Sequence, residues 1–151
     1  MISAIKQFFT DRIQGQELEA TATQGHTLNL ATAALLVEAM RADHNILEQE
    51  QQAVQALLQR HLQLHSDDVR ALFALAEQEV EDSVSLYQFT SLIDQAMDYE
   101  QKVRIIDMLW QVVYADDRLD KYEEALLRKI ADLLHVSHRD FIQSKHRFMP
   151  E

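Results

Sequence analysis

One nine-residue pattern occurs twice in this chain, and it constrains the fold more than any other feature. Residues 42–50 (the first elbow) and residues 115–123 (the second elbow) both read Ala-Asp-x-x-(Ile or Leu)-x-x-x-Glu. The copies lie 73 residues apart, and the same offset aligns Leu57 with Ile130. Each elbow follows one apolar helical run and precedes another, so we expect two helix–turn–helix hairpins with acidic turns.

The chain contains only two Gly and one Pro among 151 residues. A strand-rich fold needs turn residues at short intervals, whereas apolar residues here recur at helical spacing. The sequence therefore predicts an all-α fold of seven to eight helices. The length suits one globular domain, which we place at residues 26–151, after an N-terminal amphipathic helix and linker at residues 1–25.

The N-terminal segment has two interpretations. Residues 2–13 carry Ile and Phe at helical spacing, which predicts a short helix packed on the body or an amphipathic segment that touches a membrane or a partner. Residues 15–25 have weak periodicity and are predicted to be a linker that can include one turn of helix, and a strong helix is expected from about residue 27 to residue 43. Ser137 followed by Asp140 predicts the cap of the last helix.

Charge and composition exclude several classes of function. A net charge of −11 argues against a nucleic-acid partner, because phosphate binding needs a basic face. The absence of Cys rules out disulfides, thiolate metal sites and a cysteine nucleophile. The sequence shows neither a signal peptide nor a window of about 20 apolar residues, so we expect a cytoplasmic protein.

Four carboxylates of the elbows are the candidate site residues. Asp43 and Asp116 end their helices, where the macrodipole disfavours a carboxylate by about 0.3–1 kcal/mol. Glu50 and Glu123 come seven residues later, so each Glu faces its Asp if the turn folds back. Adjacent elbows would gather all four into one cluster, with further polar residues nearby in sequence: His44, Asp117, Asp120 and Glu124.

Such a cluster repels itself unless cations or basic residues neutralise it. Oxygen ligands suit Ca²⁺, Mg²⁺ or Mn²⁺ better than Zn²⁺. The structural alternative is helix capping, since Asp120 with Glu123 forms a capping box and first-turn acids favour the dipole. The residues alone leave both interpretations open.

No enzyme motif accompanies the elbows. The chain lacks the His-Glu-x-x-His zinc pattern, the Glu-x-x-His pairs of di-metal bundles, an EF-hand loop and a Gly-rich phosphate loop. A hydrolase with a metal-bound water would also need an oxyanion stabiliser, and none is evident. We therefore expect a non-catalytic cation-binding module, with a metal-free protein–protein scaffold as the alternative.

The duplicated elbow resembles that of the tellurite-resistance protein TerB family, over about residues 27–148. The family's elbow reads Ala-Asp-Gly, and this chain has His44 and Asp117 at the Gly positions. The resemblance implies a compact helical bundle in which two acidic hairpins pair about a pseudo-twofold axis. It also implies ion binding, with ligands that carry over by motif position: Asp43, Glu50, Asp116 and Glu123.

The resemblance further implies a role in bacterial stress response, seen as tellurite, phage or colicin resistance. That role implies protein partners in assemblies at the inner membrane surface.

Two other groups of residues have alternative interpretations. Trp110 and Tyr114 share a helix face, which favours core packing over an aromatic ligand box. The C-terminal segment is basic against an acidic body. It is expected to be a solvated face, or else to dock on the acidic elbows, on a partner or on an anionic membrane surface, through His138, Arg139, Lys145, His146 and Arg147.

Overall fold

The computed structural model of the protein describes residues 20–42, 48–62, 65–82, 86–116 and 121–149. Over these ranges the chain forms seven α-helices and one 3₁₀ turn, and no strand, which confirms the all-α prediction. The elements are α1 (Ala20–Arg41), α2 (Glu48–Leu62), α3 (Ser66–Asp82), α4 (Tyr87–Ala96), α5 (Tyr99–Val113), the 3₁₀ turn (Tyr114–Asp116), α6 (Lys121–Leu133) and α7 (His138–Phe148). None of these helices is both long enough and apolar enough to span a bilayer.

The first helix is longer than its periodicity predicts. It begins at Ala20, inside the segment predicted to be a linker, because Ala20 and Ala22 favour a helix and no proline interrupts the run. Gly25 inside this helix costs about 1 kcal/mol relative to alanine, too little to stop a helix of this length. The predicted helix at residues 2–13 lies outside the described residues.

The helices fall into two halves with the same internal packing. In one half α1 packs on α2 and α3, and in the other α5 packs on α6 and α7. Between the halves α1 packs on α5, while the contact of α2 with α5 is matched by that of α6 with α1. Such reciprocity is typical of a twofold interface, as the predicted pseudo-twofold pairing of the hairpins requires. The connecting helix α4 packs on α1 and α6.

The buried residues repeat with the offset that the elbows share. Leu36 on α1 and Leu109 on α5 are both inaccessible to solvent. Leu57 on α2 and Ile130 on α6 are both buried in the same core. The repeat in the sequence is therefore a repeat of packing positions as well as of acidic turns.

Local caps hold the second half together. Asp98 accepts a hydrogen bond from the Gln101 backbone and forms a capping box at the start of α5. Ser137 caps α7 as predicted, accepting a hydrogen bond from the Asp140 backbone. The Tyr99 hydroxyl accepts a hydrogen bond from the Ser137 backbone and donates one to the Asp140 carboxylate, so the starts of α5 and α7 are fixed together.

We expect Leu36→Ala and Leu109→Ala to reduce the free energy of unfolding by similar amounts, about 2–5 kcal/mol each. Both substitutions remove a fully buried side chain at an equivalent position of the two halves. Urea denaturation followed by circular dichroism measures the difference.

The matched control is Gln95→Ala on the exposed face of α4, which should change stability by no more than about 0.5 kcal/mol. A negligible effect at only one of the two leucines would show that the halves do not share one core.

Candidate functional site

The two elbow glutamates occupy equivalent positions and are both buried. Glu50 lies in the first turn of α2 and is 1% exposed, and Glu123 lies in the first turn of α6 and is 2% exposed. A first-turn acid that acts only as a dipole partner is usually solvated. Burial of a carboxylate is costly unless hydrogen bonds, an ion pair or a metal compensate for it. The elbows therefore provide a buried acidic environment at both glutamates.

The second elbow lies against the helix that carries the glutamate of the first. Its 3₁₀ turn packs on α2, and Ala115 lines a groove of about 480 Å³ together with Gln49. Asp116 and Glu50 are the sequence neighbours of these two residues. The turn that ends at Asp116 thus lies beside the start of α2, which belongs to the other half of the domain.

The structure describes the four predicted ligands to different extents. Glu50 and Glu123 are described in full, only the backbone of Asp116 is described, and Asp43 lies outside the described residues. Over the described part of the chain, no three His, Asp or Glu side chains are grouped so as to hold a metal ion. A complete ligand set at either elbow therefore requires Asp43, Asp116 or the neighbouring acids Asp117 and Asp120, whose residue types are given by the sequence.

One residue of the basic C-terminal segment is docked beside the second elbow. The Lys145 ammonium donates a hydrogen bond of 3.0 Å to Glu124, the residue after Glu123. It also lies 5.8 Å from the centroid of the Trp110 ring, at cation–π distance. Burial raises the pKa of the Tyr114 phenol, Lys145 opposes this and Glu124 adds to it, so both charges act on the first residue of the 3₁₀ turn.

The remaining contacts of α7 include a second ion pair with the body. Arg147 binds both carboxylate oxygens of Asp107 at 2.9 Å, and the buried Ser144 hydroxyl donates to the same carboxylate. Phe141 packs on Trp110 with ring centroids 5.1 Å apart. Lys145 and Arg147 are therefore paired with acids of the body, although Arg147 remains exposed, and the other exposed basic residues of this segment are His138, Arg139 and His146.

Trp110 and Tyr114 form part of the core, as predicted. Trp110 is inaccessible to solvent, Tyr114 is 8% exposed, and their rings stack with centroids 5.6 Å apart. Within the described chain, neither the Trp110 Nε1 nor the Tyr114 hydroxyl has a hydrogen-bond partner. The contact between α5 and α7 thus combines aromatic packing with two buried polar atoms that form no hydrogen bond with the described residues.

A further acid near the first elbow was missed by sequence analysis. Glu38 is half-buried on α1, less than two turns before Asp43. Burial raises the pKa of the Glu38 carboxyl, and Arg41 partly opposes this. The available signal was an acid within an otherwise apolar helix, at the position that Gln111 occupies in the second half.

Comparison with known proteins agrees with this geometry. The sequence model of the family described as "Tellurite resistance protein TerB" matches residues 29–146, which include both elbows and extend from α1 into α7. The chain belongs to the TerB family. No curated protein and no solved structure matches it.

Within this TerB domain the two elbows are distinguished by their surroundings. The second has a lysine and an ion-paired glutamate beside its turn. The first follows Glu38 and Arg41, and Arg41 pairs at 3.7 Å with Glu81 of α3. The two halves therefore share the position of the buried glutamate but differ in the charged residues around it.

We expect Glu38→Gln to raise the melting temperature at neutral pH. A carboxyl whose pKa is raised in the folded state contributes stability below its ordinary pKa, and that contribution is lost as the pH rises through the folded-state pKa. The neutral amide avoids this loss, so the difference between variant and wild type should grow from pH 4 to pH 7. Differential scanning calorimetry across this range measures it.

The control is Glu100→Gln on the exposed start of α5. Its difference from wild type should show no comparable rise with pH. An equal pH dependence in both variants would contradict the assignment to Glu38.

Proposed function

We propose that this TerB-family protein is a non-catalytic module that binds a divalent cation through the carboxylates of its two elbows. The proposed ligands are Asp43, Glu50, Asp116 and Glu123. The observation that carries the proposal is the matched burial of Glu50 and Glu123 at equivalent positions of the two halves.

Interaction with the helix dipole does not by itself require this burial. A first-turn glutamate interacts with the helix dipole from the surface, where it retains its hydration. Withdrawal of two carboxylates from water is costly, and a bound cation is one way to compensate for that cost. The acids Asp117 and Asp120, close in sequence to Glu123, add to the negative charge available at the second elbow.

The chemistry of the donors selects the class of ion. All four ligands offer carboxylate oxygen, and the chain has no Cys to provide thiolate. Such donors favour hard cations, Ca²⁺, Mg²⁺ or Mn²⁺, over Zn²⁺. Because the turn before Asp116 packs on the helix of Glu50, a bound ion would also join the two halves of the domain.

The cellular role is proposed from the family. Its name associates TerB with tellurite resistance, and we propose that this chain acts in a bacterial stress response of that kind. We further propose that it works in the cytoplasm through a protein partner at the inner membrane surface. The exposed His138, Arg139 and His146 are suited to an acidic partner or to anionic lipid.

We expect isothermal titration calorimetry with Ca²⁺, Mg²⁺, Mn²⁺ and Zn²⁺ to give heat of binding with at least one of the first three. The double variant Asp43→Ala, Asp116→Ala should lose most of that heat, because it removes a ligand from each elbow. Glu50→Gln and Glu123→Gln should each weaken binding while they keep side-chain volume.

The matched control is Asp132→Ala with Glu100→Ala, which removes two exposed acids outside both elbow motifs. Its affinity should equal that of wild type. Equal heats from wild type and the elbow double variant would contradict the proposed cation site and favour a metal-free scaffold. A pull-down that returns a partner whose binding is unaffected by chelators would then support the scaffold.

A further inference from the structure

Lys145 is the cation that the fold itself supplies to the second elbow. Its ammonium pairs with Glu124 at 3.0 Å, and both groups are mostly buried, with side-chain exposures of 20% and 24%. Its charge acts on Tyr114, the first residue of the 3₁₀ turn that ends at Asp116. Lys145 is therefore held near the turn and the helix that carry Asp116 and Glu123.

At the position of α3 that corresponds to Lys145, the first half has the apolar Phe73. Helices α3 and α7 occupy matching places, and with an offset of 72 residues the buried Val69 corresponds to Phe141. At the same offset the buried Leu72 and Phe73 correspond to Ser144 and Lys145. The outer helix of the first half is thus held by apolar side chains where that of the second half is held by polar and charged ones.

We infer that Lys145 and a bound divalent cation compete for the negative charge at the second elbow, so that the Lys145–Glu124 ion pair lowers cation affinity there. This inference rests on the cation site proposed above. Like charges within about a Debye length, roughly 10 Å at 0.1 M salt, repel each other, and partial burial reduces the screening.

The competition is reciprocal. If the Lys145–Glu124 pair weakens cation binding, the bound cation weakens the pair by the same factor. The other ties of α7, from Arg147 to Asp107 and from Phe141 to Trp110, keep the helix in place while Lys145 shifts. Cation binding therefore changes the contact between Lys145 and the Trp110 ring while the helix packing is kept.

The test compares the intact chain with three variants in Ca²⁺ and Mn²⁺ titrations by calorimetry. Lys145→Met removes the charge and keeps a long apolar side chain, and we expect its cation affinity to rise on the order of 3- to 10-fold. Lys145→Arg keeps the charge and should stay near wild type. Arg139→Met removes one charge from an exposed position of the same helix and should raise affinity less than twofold.

Trp110 is the only tryptophan, so its fluorescence reports on Lys145 directly. Saturating cation should shift the Trp110 emission in wild type and leave it unchanged in Lys145→Met. Urea denaturation checks that each variant is folded at the temperature of the titration, and Lys145→Gln provides a second neutral variant.

The outcomes separate the two proposals. Cation binding of equal strength in wild type, Lys145→Met and Lys145→Gln would overturn the competition and leave the proposed function standing. Tighter binding in Arg139→Met by the same factor would also overturn it, because net charge alone would then explain the change. No binding in any variant would overturn both proposals.

Discussion

The packing of α1 against α5 is the constraint on which the rest of the structure depends. Nearly every described position of α1 from residue 30 to residue 40 is buried, on all sides of the helix. An apolar helix of this kind must be covered on all its faces. Its two partners within the half, α2 and α3, do not surround it, and α4, α5 and α6 complete its cover. The halves therefore depend on each other for their cores.

This mutual dependence decides where the elbows lie. Because α5 packs against α1 and α2, the 3₁₀ turn at its C-terminal end lies against α2, the helix whose first turn carries the buried Glu50. The reciprocal contact carries α6, with Glu123, to α1. The helix that carries each glutamate therefore packs partly on the other half of the domain.

The sequence predicts the parts of this arrangement that are local. Apolar spacing and the repeat predict α2, α5 and α6, and Ser137 with Asp140 predicts the cap of α7. The start of α1 was missed because residues 20–26 have helix-favouring composition without the periodicity that signals it. The helix that carries the buried Glu50 packs on a 3₁₀ turn more than 60 positions later in the chain, and no local pattern records this contact.

The role of Lys145 also depends on long-range packing, and the sequence predicts this residue only as one member of a basic segment. Its partner Glu124 lies 21 residues earlier, and the pairing depends on how α7 packs against α5 and α6. The repeat contained a usable signal, because the equivalent residue in α3 is Phe73. The second half thus has a partly buried ammonium where the first half has an apolar side chain. This exchange does not increase stability, because a partly buried ion pair contributes no more than the packing it replaces. An apolar contact is insensitive to nearby ions, whereas a charged one responds to them. The exchange therefore gives the contact made by Lys145 a sensitivity to charge that the apolar contact of Phe73 lacks.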